Sequence, residues 1–213
     1  MKLSKISIVI PVFNEKETII EVLRRVEKAK INQIEKEIII VDDGSSDGTQ
    51  RILKKIENKE KYKVYYHSKN KGKGAALKTG FLKTSGEAVI VQDADLEYNP
   101  EDYPLLLAPF LKDNADAVYG SRFLTGLPRR IIYFWHQIGN RWLTFLSNAA
   151  TGLNLSDMET GFKAFRGDLI REIAPTLKSS RFGFEPEITA KIAKIPDIKI
   201  YEVGISYWGR TYK

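Results

Sequence analysis

Two aspartates in the sequence Asp93-Ala94-Asp95 are the residues of this chain best suited to chemistry. They follow a short apolar run, and in an extended chain the side chains of residues i and i+2 point to the same side. Two carboxylates placed in this way can share a hard divalent cation, Mg²⁺ or Mn²⁺, and Glu97 could supply a third oxygen. Such a cation bridges the phosphates of a nucleotide and stabilises a departing diphosphate. A polar turn after a strand is the simpler alternative, because Asp-x-Asp is a common pattern.

Polar residues also follow other apolar runs of the first half. Asp42 directly follows the apolar run 37–41 and begins the sequence DDGSSDG. An acid at a strand end can bind ribose hydroxyls or a base edge, and the following turn can cap a helix. The segment 70–76 contains glycines and lysines but lacks the spacing of a P-loop or a dinucleotide-binding loop. We interpret its lysines as a solvated surface.

The composition excludes several other kinds of site. The chain of 213 residues has no cysteine, which excludes disulfide scaffolds, cysteine nucleophiles and thiolate metal centres. Only two histidines, His67 and His136, are present, so a multi-histidine metal centre is excluded as well. The net charge of +7 suits an anionic partner, such as a phosphorylated small molecule, a nucleic acid or an acidic membrane surface. We expect a cytoplasmic protein, because neither a secretory signal nor an apolar run long enough to span a bilayer is recognisable.

Strands alternating with helices must position these residues. Apolar runs predict strands at 6–12, 37–41, 64–66, 88–91, 116–120, 161–165 and 198–207, and helical spacing predicts helices at 15–30, 49–56, 72–84, 129–150 and 185–193. Continuous apolar strands alternating with helices predict one α/β domain, with a mainly parallel sheet covered on both faces. Such sheets bind ligands beyond the carboxyl ends of their strands. The polar strand ends should therefore converge on one crevice.

Residues 129–150 are a candidate membrane-interface helix. Arg129 and Arg130 precede a series of large apolar residues at helical spacing, namely Ile131, Trp135, Ile138, Trp142 and Phe145. Basic residues beside an aromatic, amphipathic helix suit a membrane surface. An ordinary helix packed on the core is an equally good interpretation. Stacking on nucleic-acid bases is less favoured, because the acidic strand ends repel a phosphate chain, and we expect no nucleic-acid partner.

The motifs together resemble family 2 glycosyltransferases, which have the GT-A fold. The matching segments of the first half are 8–15, 41–49, 70–75 and 93–95. Three later segments, 120–123, 157–163 and 181–187, are similar to the branch that transfers sugars to dolichyl or polyprenyl phosphate. The resemblance therefore covers nearly the whole chain. Relatives in this branch usually continue beyond residues 207–213, so we expect either a shortened chain or a naturally short form.

The resemblance implies a role for each matched residue of the donor site. The positions that line the nucleotide base and ribose are matched by Pro11, Phe13, Glu15 and Asp42. The metal-binding motif is matched by Asp93, Ala94 and Asp95, with Glu97 at a position that often assists the metal. A late basic residue that closes over the donor is matched by Arg210.

The resemblance also implies the residues that handle the acceptor. Arg122 matches a basic residue near the phosphates, while Asp157 and Glu159 match an acidic motif that faces the acceptor. We expect Arg122, Arg129 and Arg130 to neutralise two anionic substrates that would otherwise repel each other. Residues 1–98 would then be the nucleotide-sugar-binding half and residues 99–213 the acceptor-binding half.

The implied reaction is an inverting, Mg²⁺- or Mn²⁺-dependent transfer of a sugar from a UDP- or GDP-sugar to undecaprenyl or dolichyl phosphate. It would take place in peripheral contact with the cytoplasmic face of a membrane. Two alternatives stay open. The acceptor could instead be a saccharide or protein hydroxyl, in which case Asp157 would be an essential base. The chain could also be a nucleotide-sugar-binding protein without turnover, although the intact Asp93 and Asp95 argue against this.

Overall fold

The structure is a computed structural model that describes residues 2–31, 33–57, 61–124, 130, 134–181 and 183–209. Within these residues seven strands form one sheet. They are β1 (Lys5–Val12), β2 (Glu35–Asp42), β3 (Tyr62–Tyr66), β4 (Ala88–Val91), β5 (Ala117–Ser121), β6 (Lys163–Arg166) and β7 (Ile200–Gly204). The helices are α1 (Ile19–Lys28), α2 (Thr49–Lys54), α3 (Lys73–Phe81), α4 (Tyr103–Asp113), α5 (Phe134–Thr151), α6 (Gly167–Ile173) and α7 (Phe184–Ala193).

The strands lie in the order β3-β2-β1-β4-β6-β5-β7. β1 pairs in parallel with β2 and β4, β2 pairs in parallel with β3, and β5 pairs in parallel with β7. β6 is the exception, because it runs antiparallel between β4 and β5. The prediction of a mainly parallel α/β sheet is confirmed.

Apolar side chains fill both faces of the sheet. On one face Ile8 of β1 belongs to a buried cluster with Val22 of α1 and Phe110 of α4. On the other face Val9 belongs to a second buried cluster that includes Phe81 of α3 and Ile188 of α7. Successive strand residues point to opposite faces, so a sheet covered on both sides needs uninterrupted apolar strands. This is why residues 8–12 of β1 and 38–41 of β2 form continuous apolar runs in the sequence.

The sequence did not predict helices α4 and α6. α4 carries Pro104 in its first turn and Pro109 in its interior, and these prolines obscure the helical pattern. α6 has only seven residues and follows β6 without an intervening loop. A segment of seven residues is too short for its apolar spacing to distinguish a helix from a strand.

The strand register brings the polar strand ends together. Val12 at the end of β1 pairs with Asp42 at the end of β2. On the other side of β1, Val9 pairs with Val91, the last residue of β4. The segment 92–95 therefore leaves the sheet beside the end of β1, as the crevice predicted from the sequence requires.

Candidate active site

A cavity of about 270 Å³ lies at the carboxyl ends of β1 and β4, and we call it the strand-end cavity. Its lining residues are Pro11, Val12, Phe13, Glu15, Asp43, Asn70, Lys73, Ala76, Asp93, Ala94 and Asp95. The structure thus brings six residues predicted from the sequence to one place, namely Pro11, Phe13, Glu15, Asp93, Ala94 and Asp95. Arg210, which was predicted to close over the same site, lies outside the described residues.

Asp42 and Asp43 have different surroundings although they are adjacent in the chain. Asp42 is fully buried, and its Oδ2 accepts hydrogen bonds from the backbone N–H of Gly44 and Ser45, each at 3.1 Å. No residue in the described part of the chain donates a hydrogen bond to the buried Oδ1 of Asp42. Asp43, which the sequence did not single out, lines the cavity and accepts a 2.7 Å hydrogen bond from the backbone N–H of Gly72. Asp43 therefore holds the start of α3 at the cavity.

Lys73 is bound to the first aspartate of the Asp-x-Asp pair. Its Nζ lies 2.8 Å from Oδ1 and 2.9 Å from Oδ2 of Asp93, and 3.6 Å from a carboxylate oxygen of Glu185. Burial lowers the pKa of Lys73, but the charges of Asp93 and Glu185 outweigh burial and raise it above the ordinary lysine value. The interpretation of the lysines of this segment as a solvated surface is therefore wrong for Lys73. It holds for the side chain of Lys71, which is exposed.

The residues of the strand-end cavity fit a divalent cation whose remaining ligands come from a bound phosphate group. Among the described residues no three His, Cys, Asp or Glu side chains form a ready metal cluster. Asp93 and Asp95 nevertheless present hard carboxylate oxygens to one cavity. Gly161 leaves the necessary space, because a Cβ at this position would lie 2.3 Å from Oδ2 of Asp93.

Glu97, the predicted assisting ligand, has a different neighbour. The Tyr207 hydroxyl donates a 2.8 Å hydrogen bond to Oε2 of Glu97, and the backbone N–H of Trp208 donates to its carbonyl oxygen. Glu97 is not among the residues that line the strand-end cavity. Its place in the metal site stays a prediction.

A second cavity, of about 760 Å³, lies between α3, α5 and α7, and we call it the helix-side cavity. Its lining residues are Gly72, Lys73, Arg122, Trp135, His136, Gly139, Asn140, Leu143, Glu159, Arg181 and Glu185. It combines basic side chains with the large apolar side chains of α5. A ligand that is anionic at one end and apolar at the other matches this lining.

Arg122 is held in the helix-side cavity by Asp157. The Nε of Arg122 lies 2.7 Å from Oδ2 of Asp157, its Nη2 lies 2.8 Å from Oδ1, and its backbone N–H donates to Oδ2. Asn140 of α5 donates a 3.0 Å hydrogen bond to Oδ1 of the same carboxylate. Burial alone would raise the pKa of Asp157, but the hydrogen bonds from Arg122 and Asn140 hold it below its ordinary value. The geometry therefore favours Asp157 as the residue that orients Arg122, rather than as a proton acceptor.

Helix α5 is attached to the domain through its polar face. The backbone N–H of Met158 donates to Oγ1 of Thr144 at 3.2 Å, and Asn148 exchanges two hydrogen bonds with the backbone of Leu155. Large apolar side chains point away from the domain, with Trp142 61% and Phe145 62% exposed. The interpretation of this segment as an ordinary core helix is therefore wrong. In the described part of the chain no helix combines the length and hydropathy that crossing a bilayer requires.

Arg130 does not join Arg122 in the helix-side cavity. Arg130 donates from its backbone N–H to the carbonyl oxygen of Tyr207 at 2.7 Å and from Nη1 to that of Gly209 at 3.0 Å. Arg130 is not part of the lining of the helix-side cavity. Arg129 lies outside the described residues.

Comparison with known proteins places this chain in a family. Residues 7–174 match the family described as Glycosyl transferase family 2. A dolichol-phosphate mannosyltransferase of Pyrococcus furiosus is 28% identical over 97% of this chain, which spans 58% of that enzyme. A UDP-N-acetylglucosamine–dolichyl-phosphate N-acetylglucosaminyltransferase of Methanococcus voltae is 29% identical, over 94% of this chain and 84% of that enzyme.

The fold is similar to that of a solved glucosyl-3-phosphoglycerate synthase of Mycobacterium tuberculosis. The TM-score is 0.72 over 98% of this chain and 72% of that one, with 21% sequence identity. That enzyme was crystallised with Mn²⁺, uridine diphosphate and phosphoglyceric acid. At this identity the similarity establishes the architecture alone.

Proposed function

Because this chain belongs to glycosyltransferase family 2, we propose that it transfers a sugar from a nucleotide diphosphate sugar to the phosphate of a polyprenyl phosphate. One observation carries the choice of acceptor. The helix-side cavity joins the cationic Arg122 and Lys73 to the apolar Trp135 and Leu143 of α5. A phosphate on a long hydrocarbon chain has both properties. The relatives from Pyrococcus furiosus and Methanococcus voltae support the same choice, because each is named for transfer to dolichyl phosphate.

The donor, a UDP- or GDP-sugar, would bind in the strand-end cavity. The half-exposed ring of Phe13, together with Pro11 and Glu15, would contact the base and ribose. Asp42, which the sequence predicts to contact the base and ribose as well, is fully buried and is not among the residues that line this cavity. Asp93 and Asp95 would hold Mg²⁺ or Mn²⁺ together with the donor phosphates. When bound, the cation supplies positive charge that stabilises the departing diphosphate.

The transfer would be a single in-line displacement that inverts the anomeric carbon. An oxygen of the acceptor phosphate forms a bond to C1, and the bond from C1 to the diphosphate oxygen breaks with its electron pair. Arg122 would bind the acceptor phosphate and reduce its repulsion from the donor phosphates. The second pKa of a phosphate monoester is about 6, so the attacking oxygen carries no proton at pH 7 that a base must remove.

The lowered pKa and the contacts of Asp157 agree with a reaction that needs no general base. A saccharide or protein hydroxyl would need a general base, and a base must be able to take up a proton. Asp157 is fully buried, is bonded twice to the guanidinium of Arg122, and has a lowered pKa. These contacts favour a phosphate acceptor over a hydroxyl acceptor.

Helix α5 would rest on the cytoplasmic face of a membrane. It presents Phe134, Trp142 and Phe145 to the outside, and an 18-residue helix with such a face gains free energy at the boundary between lipid and water. Because α5 also lines the helix-side cavity, a lipid acceptor could enter that cavity from the membrane surface.

A phase-partition assay tests the proposal. The protein is mixed with labelled UDP- and GDP-sugars, Mg²⁺ or Mn²⁺, and a polyprenyl phosphate in detergent. We expect label in the organic phase with the wild type and with Asp113→Asn, whose side chain is exposed at the end of α4. We expect none with Asp93→Asn. Donor turnover with all label remaining in the aqueous phase would exclude the lipid acceptor.

A further inference from the structure

Lys73 alone, among the residues that the structure describes, lines both the strand-end cavity and the helix-side cavity. In the proposed function the donor occupies the first cavity and the acceptor the second. Lys73 therefore stands where the two substrates meet. Its position at the first residue of α3 is fixed by Gly72, whose φ of +99° favours glycine.

The present partner of Lys73 is a residue that a divalent cation would need. The Nζ lies at nearly equal distances, 2.8 and 2.9 Å, from the two carboxylate oxygens of Asp93. A divalent cation on Asp93 must take at least one of these oxygens, and it repels an ammonium group that stays beside it. The two cations therefore compete for one carboxylate.

Lys73 also has acidic neighbours in the helix-side cavity. Glu185 lies 3.6 Å from its Nζ and, with Glu159, contributes negative charge to the helix-side cavity. Arg181 and the Asp157-paired Arg122 line the same cavity, and an ammonium group added to them would strengthen the attraction of the cavity for an anionic acceptor. The lysine side chain is 36% exposed and has a flexible four-carbon stem, so its ammonium group can reorient without disturbing the fold.

We propose that Lys73 is a mobile cation that couples the two substrate sites. It pairs with Asp93 when no divalent cation is bound, and it turns into the helix-side cavity to bind the acceptor phosphate when a divalent cation takes Asp93. The proposal rests on the proposed function. Its consequence is that metal and donor strengthen acceptor binding, and by thermodynamic reciprocity acceptor strengthens the binding of metal and donor.

The first test measures Mn²⁺ binding without nucleotide, from the electron paramagnetic resonance signal of free Mn²⁺. Lys73→Met should tighten Mn²⁺ binding by about tenfold or more, because the competing unit charge is gone. Lys71→Met removes an equal charge from an exposed neighbour and should leave the affinity unchanged. Lys73→Arg keeps the charge and should bind Mn²⁺ as weakly as the wild type. Thermal melting checks that all variants are folded.

The second test measures coupling. Binding of farnesyl phosphate, a short-chain probe, is titrated with and without Mn²⁺ and uridine diphosphate. In the wild type and in Lys71→Met, Mn²⁺ with uridine diphosphate should tighten binding of the probe by at least about fivefold. In Lys73→Met this increase should disappear. A merely structural lysine would leave the ratio of the two affinities unchanged.

Two results of the Mn²⁺ measurements would overturn the proposal, and only the second would also remove the metal site at Asp93. If Asp93→Asn abolishes Mn²⁺ binding but Lys73→Met binds no tighter than the wild type, the competition is absent and the proposed function stands. If Mn²⁺ binding survives Asp93→Asn, the metal site is misplaced and the role of Lys73 falls with it.

Discussion

Replacing Gly161 by alanine would disturb Asp93 without changing any polar group. A Cβ at position 161 would lie 2.3 Å from Oδ2 and 3.2 Å from Cγ of Asp93, and 3.0 Å from Nζ of Lys73. Gly161 is not among the glycines with positive φ, so alanine introduces no backbone strain of its own. The substitution therefore acts through the steric clash with Asp93 and with the Nζ of Lys73.

The size of the displacement follows from these distances. Ordinary van der Waals contact of a Cβ begins at 3.4 Å, so the Asp93 oxygen must retreat by about 1 Å. Misplacing a reacting or coordinating group by about 1 Å costs on the order of 100-fold in rate. We therefore expect kcat of Gly161→Ala to fall by about 100-fold and its Mn²⁺ affinity to weaken.

A matched control separates this effect from a loss of stability. At Gly86 a Cβ would lie 2.6 Å from the backbone nitrogen of Ser7, at the opposite end of β4 from Asp93. Gly86→Ala should lower the melting temperature while the folded protein keeps its kcat. The assay is sugar transfer to polyprenyl phosphate at saturating substrates, below both melting temperatures. A kcat of Gly161→Ala within threefold of the wild type would refute the placement of Asp93 at the reacting centre.

Three further expectations concern charge and surface. Burial lowers the pKa of Lys163 to about 8, so between pH 8 and about 10.4 the unfolded chain binds more protons than the folded chain. The free energy of unfolding should therefore rise with pH in this range by up to about 3 kcal/mol, and in urea titrations Lys163→Met should lack this rise. Asp157→Asn leaves the largely buried guanidinium of Arg122 without its counter-ion and should lower the free energy of unfolding by about 3–5 kcal/mol; a loss below 1 kcal/mol would contradict the orienting role. Trp142→Ser should change the unfolding free energy by less than about 0.5 kcal/mol, yet weaken sedimentation with anionic vesicles by about tenfold; unchanged vesicle binding would exclude this face of α5 from the membrane.

The sheet and the acidic strand end could be predicted because their signals are local in the sequence. Asp93 and Asp95 follow the buried strand β4 within four residues, so their place at the carboxyl end of the sheet follows from where that strand ends. The extended backbone expected for them is wrong, because β4 ends at Val91 and residues 94–95 form a turn. Asp42 and Asp43 show the limit of that reasoning. Both follow the same apolar run, but which of them lines the cavity depends on the exact end of β2 and on the packing of residues 70–72 against Asp43.

The remaining features depend on contacts between distant segments. The pairing of Lys73 with Asp93 joins residues 20 positions apart, and the sequence shows only a lysine in a glycine-rich segment. The orientation of α5 could not be predicted from the sequence either, because it depends on contacts with a different segment of the chain. Its apolar spacing was recognisable, but its attachment through Asn140, Thr144 and Asn148 depends on polar contacts with residues 155–158. Polar residues at i, i+4 and i+8 normally mark the solvent side of a helix.

We propose that the sugar is transferred to an oxygen of the phosphate group of the lipid acceptor. The most direct measurement supplies a polyprenyl phosphate and the corresponding polyprenol in equal amounts, and examines the lipid product by ³¹P NMR and mass spectrometry. We expect a glycosyl phosphodiester of inverted anomeric configuration, and no glycoside of the polyprenol. A glycoside of the polyprenol, or a product that retains the donor configuration, would contradict the proposal.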